Sequence, residues 1–123
     1  MTIGRLYVPL DVDYADNPKM IGVGERGEVL YIRALCLAKR TLTDGFIDER
    51  QLVRFGLPGV EVRAESLVRE GLWEKVPGGY QITGWLERNT SASAIQEAST
   101  KRAEAGRLGG QRSGATRKKE ANA

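Results

Sequence analysis

Apolar residues along this chain gather in short bursts punctuated by glycine, proline and aspartate. The densest burst runs from Val29 to Ala38, where Arg33 is the one charged residue. Tyr31, Leu35, Ala38 and Leu42 recur at helical spacing, and Leu30, Ala34 and Leu37 form a second stripe. The pattern predicts a helix over Arg26 to Leu42, apolar on nearly every side and buried at the centre of the domain. Lys39 and Arg40 sit near its end, where cations suit the helix dipole. Upstream, Tyr7 to Leu10 reads as a short extended run. Asn17 before Pro18 is a cap followed by a first-turn proline, which predicts a short helix over Pro18 to Val23 stopped by Gly22 or Gly24. Asp11, Asp13 and Asp16 read as turn and capping residues, because their spacing lacks the glycine and distal glutamate of a calcium loop.

Past a turn at Thr43-Asp44-Gly45, Phe46-Ile47 predicts a short strand. Asp48 caps a helix through Gln51 to Phe55, closed by Gly56. Leu57-Pro58-Gly59 breaks the chain, and a second helix over Val60 to Glu70 buries Val60, Ala64, Leu67 and Val68. Two strands, Leu72 to Val76 and Tyr80 to Thr83, then flank Pro77-Gly78-Gly79 as a hairpin. A short helix, a tight turn, a second helix and a hairpin together predict a winged helix-turn-helix. Trp85-Leu86 is expected to return to the core. Asn89 to Ser93 is a polar linker, and the capping-box spacing of Ser93 and Gln96 predicts a helix over Ala94 to Ala105. The glycine-rich, basic run that follows is expected to stay disordered until something binds it. The expected fold class is thus mainly α with a small β-hairpin (α+β). Its parts are a winged-helix domain (1–88), a linker and helix (89–105), and a flexible basic tail (106–123).

Composition narrows the chemistry. The 123 residues suffice for one domain. Without histidine, and with Cys36 as the single cysteine, the chain cannot form an internal disulfide, a Cys/His zinc site or a Cys–His nucleophile pair. Cys36, set in the apolar burst, is expected to be an inert core residue. Gly22, Gly24 and Gly27 spell a dinucleotide fingerprint but lack its strand–turn–helix context. No phosphate-binding loop and no acid–base constellation is present, so neither an enzyme nor a cofactor nor a small-molecule substrate is expected. Met1 to Leu6 holds no long apolar run, so neither a signal peptide nor a membrane span is expected, and the cytoplasm is the default compartment.

Charge changes the picture most. Lys101, Arg102, Arg107, Arg112, Arg117, Lys118 and Lys119 face only Glu104 and Glu120, giving the tail a net +5. The other twelve cations and fourteen acids leave the body at −2 within a chain of net charge +3. A run of cations can neutralise phosphates without sequence preference. On the second helix of the turn, Arg63, Ser66 and Arg69 are spaced by three and are candidates for major-groove contacts, with Glu61, Glu65 and Glu70 beside them. In the hairpin, Lys75 is the cation and Gln81 a polar contact.

The runs Tyr7-Val8-Pro9-Leu10-Asp11-Val12-Asp13-Tyr14, Asn17-Pro18-Lys19, Leu42-Thr43-Asp44-Gly45-Phe46-Ile47 and Leu67-Val68-Arg69-Glu70-Gly71-Leu72-Trp73 resemble the N-terminal domain of phage replisome-organiser and replication-initiation proteins. The resemblance covers residues 7–88 and implies a winged helix acting on DNA in phage replication or its regulation. Such proteins often carry a longer C-terminal domain that recruits a helicase or its loader; none is expected here, so a full initiator activity is not expected either. Duplex DNA is therefore the expected partner. The alternative is a module whose acidic, mixed-charge face binds a host or phage replication or transcription protein. A weaker reading is RNA binding through the Arg/Gly tail.

Overall fold

The computed structural model describes residues 6–121, and side chains up to residue 108. The first five and last two residues lie outside it, as do the side chains of Arg112, Arg117, Lys118 and Lys119. The body up to Ser91 and the segment from Ala92 onward belong to separate compact units.

The body begins with a segment without regular secondary structure, where the sequence predicts a short extended run, and a 3-10 turn at Tyr14–Asp16. Asp11 acts as the expected turn residue, its carboxylate accepting from the Asp13 N–H at 2.9 Å. Asn17 then caps helix α1, Pro18–Thr41, by accepting from the Lys19 N–H at 2.9 Å, with Pro18 in the first turn. The two helices read from the sequence are halves of α1, joined across a kink at Gly24. There the backbone takes φ 71°, ψ 179°, a conformation essentially reserved for glycine. The fingerprint glycines Gly22, Gly24 and Gly27 therefore belong to a kinked helix, not to a nucleotide loop.

Helix α1 is buried along one broad face rather than all round. Leu30, Ala34 and Ala38 are fully enclosed, with Tyr31 and Leu35 beside them, while Arg33, Cys36 and Arg40 point outward. Cys36 is thus an exposed residue, contrary to its apolar setting in sequence: it lies three positions from Arg33 and opposite the face that neighbouring elements cover. Lys39 is instead buried, its Nζ 6.0 Å from the Trp85 ring centroid and 3.4 Å from Asn89 Oδ1.

Strand β1 (Phe46–Asp48) leads into a 3-10 segment, Glu49–Phe55, where the sequence pattern predicts an α-helix. Its cap is the expected one. Asp48 Oδ1 accepts from the Arg50 N–H at 2.9 Å, and Gln51 Oε1 accepts in return from the Asp48 N–H at 3.2 Å. Gly56 closes the segment in the left-handed region. Helix α2 (Val60–Arg69) packs on α1 through Ala64 and Leu67, both fully buried.

Strands β2 (Trp73–Val76) and β3 (Gly79–Ile82) form the expected hairpin over Pro77-Gly78. Strand β3 also pairs with β1, so the antiparallel sheet has the order β1-β3-β2. Gly79 lets β3 lie close against β1: a Cβ there would lie 2.0 Å from the Ile47 carbonyl oxygen. Trp73 and Tyr80 pack with ring centroids 5.2 Å apart and their planes tilted by 41°. Trp85, at the start of the single turn α3 (Trp85–Arg88), returns to the core as expected, whereas Leu86 stays exposed. The body is therefore mainly helical with one small three-stranded antiparallel sheet.

The second unit carries helix α4, Ala92–Ala121. It starts two residues before the predicted helix and runs on through Gly106, Gly109, Gly110 and Gly114, where the sequence predicts disorder in the unbound chain.

Candidate nucleic-acid interface

Burial of Ala64 and Leu67 fixes which side of α2 faces outward. That side presents Glu61, Val62, Glu65 and Arg69. Two of the three candidate contacts on this helix are committed elsewhere. The Arg63 guanidinium donates through Nε to the Pro58 carbonyl at 2.9 Å and through Nη1 to the Arg26 carbonyl at 3.0 Å. It ties the turn before α2 to the kinked region of α1. Ser66 Oγ donates to the Val62 carbonyl one turn earlier, at 3.2 Å. Arg69 is exposed, and its Nε lies 3.9 Å from Glu70 Oε1. A pair that open to water is weak. Glu70 leans the other way, against Gly22 of α1.

In the hairpin, Lys75 sits 4.6 Å from the Tyr80 ring centroid and 3.6 Å from Glu49 Oε2. Gln81 is half-buried, and its Nε2 donates to the Asp44 carbonyl at 2.8 Å. Gln81 therefore braces the turn ahead of β1 instead of presenting a free amide. Its partner lies 37 positions away in sequence, which is why alternation along the strand alone did not reveal it.

Of the seven cations in the tail, Lys101, Arg102 and Arg107 are exposed on α4. Arg112, Arg117, Lys118 and Lys119 continue along the same helix backbone. The structure thus places Arg63, Ser66, Arg69, Lys75 and Gln81 in one unit and the tail cations in the other. Arg54 was missed: it is exposed on the 3-10 segment and joins no ion pair among the described residues. It lies on the segment read as the first helix of the turn, while candidate contacts were sought only on the second helix, the hairpin and the tail. Val53 and Val62, 78% and 66% exposed, were missed as well, since the sequence reading assigned them no role.

One carboxylate in the body departs clearly from its ordinary range. Hydrogen bonds from the Arg50 side chain and backbone hold Asp48 down to about 2. The Tyr14 hydroxyl is pushed up, chiefly because it donates to Glu28 Oε1 at 2.7 Å. Both groups are structural. Among the described residues no cluster of His, Cys, Asp and Glu gathers that could hold a metal ion, and no helix is long and apolar enough to cross a membrane. No family model, curated protein or solved structure matches the chain.

Proposed function

We propose that the body is a winged helix and that the protein binds duplex DNA, with its basic tail supplying most of the affinity. The separation of charge carries this reading: a +5 tail joined to a −2 body. Cations grouped in this way release counterions from a phosphate backbone regardless of sequence. Support for the winged helix comes from the element order of helix, strand, 3-10 segment, helix and hairpin, with β1 paired to β3. The resemblance of residues 7–88 to phage replication proteins points to DNA replication or its regulation in a phage or prophage, as a non-enzymatic DNA-binding protein. Within the body, Arg69 and Lys75 are left to contribute, since Arg63, Ser66 and Gln81 are engaged internally.

The test is a gel shift with random duplex DNA, using the full chain and a chain ending at Thr100. Among the described residues, every member of the buried hydrophobic core lies between Met20 and Trp85, so the truncated chain keeps that core. The full chain shifts DNA at low salt and the truncated one binds far more weakly. A full chain without affinity for DNA at low salt defeats the proposal.

One observation favours a second reading, a protein-binding module. The outward face of α2 pairs Glu61 and Glu65 with exposed Val62, a surface that suits a protein better than phosphate. A stoichiometric protein partner that survives nuclease treatment would support it.

A further inference from the structure

We infer that α4, and not α2, is the helix that enters the DNA major groove, and that its glycine-rich half, a marginal helix on its own, is stabilised there. The inference rests on the DNA-binding reading. Helix α2 is poorly suited to a groove walled by phosphates, because Glu61 and Glu65 face outward while Arg63 and Ser66 are spent on backbone carbonyls.

Helix α4 has the opposite character. Every residue from Thr100 to Leu108 is exposed, and Ile95 and Leu108 are the only large apolar residues in its thirty. The remaining residues are small, polar or charged, which makes a slender helix. A groove about 12 Å wide admits such a helix. At ~100° per residue, positions 101, 112 and 119 fall along one line of the helix, 107 and 118 along a second, and 102 and 117 toward a third. A flat anionic surface would reach only part of that ring. A groove walled by phosphates on both sides reaches all of it, as with the continuous basic helices that cross the major groove. From Lys101 to Lys119 the helix extends ~27 Å, along which both strands present a phosphate charge every ~1.7 Å of axis.

The same residues make the helix marginal. Gly106, Gly109, Gly110 and Gly114 each cost about 1 kcal/mol relative to alanine in a helix. Arg117, Lys118 and Lys119 repel one another, and among the described side chains from Thr100 onward no buried face offsets these costs. Phosphates alongside cancel the repulsion and shift the balance toward helix. DNA binding and stabilisation of α4 are then coupled.

The experiment uses full-length protein and a short random duplex at low salt, with circular dichroism and affinity read together. Two variants preserve charge: Gly110→Pro, and Gly109, Gly110 and Gly114 all changed to Ala. The expected result is a gain of helix on mixing. Gly110→Pro binds roughly tenfold or more weakly, the triple alanine variant binds several-fold more tightly, and the major-groove dye methyl green is displaced. Binding without helix gain, with Gly110→Pro neutral, makes the tail an unstructured polycation; it overturns this inference and leaves DNA binding intact. Displacement of a minor-groove dye in place of methyl green overturns the groove assignment. A full-length chain that does not bind overturns both.

Discussion

Asp48 holds the end of β1 and the start of the 3-10 segment together with one carboxylate. It accepts from the Arg50 N–H and from the Arg50 guanidinium, the shorter of those contacts at 2.7 Å. Its depressed pKa makes this support depend on acid. A carboxylate lowered to about 2 in the folded chain, against about 3.9 when unfolded, stabilises fully above pH ~4 and loses its contribution as pH falls toward ~2. Asp48→Ala should therefore lower the thermal midpoint by a few degrees at neutral pH and have little effect at pH ~2, as a pair of melting curves would show. Two glycines test backbone alone. At Gly24 an added Cβ meets nothing within 4 Å, yet Gly24→Ala should cost about 1–3 kcal/mol in a denaturant titration, because the kink demands its φ and ψ. Gly79→Ala fails for the other reason. Its methyl would collide with the Ile47 carbonyl, which cannot yield without parting β3 from β1, so the variant should not reach a native fold.

At the scale of elements, the chain's local signals and its long-range ones separate cleanly. The Asn17-Pro18 start of α1, the Asp48 cap, the stop at Gly56 and the hairpin after Val76 were all legible, because each is settled within a few residues. The role of Arg63 was not legible, since one of its acceptors, the Arg26 carbonyl, lies 37 positions upstream on another helix. Nor was the exposure of Cys36, which depends on which faces of α1 other elements cover. The 3-10 geometry of Glu49–Phe55 was hidden too, because spacing over seven residues does not separate it from an α-helix. Of the candidate contacts on the body, sequence reading supplied the cations, but it could not tell a free guanidinium from an engaged one. A mutational pair separates the two. Arg63→Ala should cost ~1–2 kcal/mol of stability and leave DNA affinity nearly unchanged. Arg69→Ala should leave the melting curve in place and weaken binding slightly.

For the whole molecule, the division of charge between body and tail sets the salt dependence. If all seven tail cations meet phosphates, log K should fall against log salt with a slope of about −6. Removing everything after Thr100 should flatten it to about −2, the contacts left to Arg69 and Lys75; filter binding across a salt series measures both. That division was fully legible in the sequence, whereas the helical path of the tail was not, because four glycines outweigh every local helix signal there. The burial of the two indoles has a further consequence, for what light can report. Trp73 and Trp85 are 1% and 4% exposed, and no aromatic residue follows Trp85. The tail is therefore silent in near-ultraviolet absorbance and in intrinsic emission, and every such signal belongs to the body. A duplex titration that retards the protein in a gel while tryptophan emission stays constant assigns the contact to the tail. A shift in that emission means that the body has met the DNA or has changed its packing.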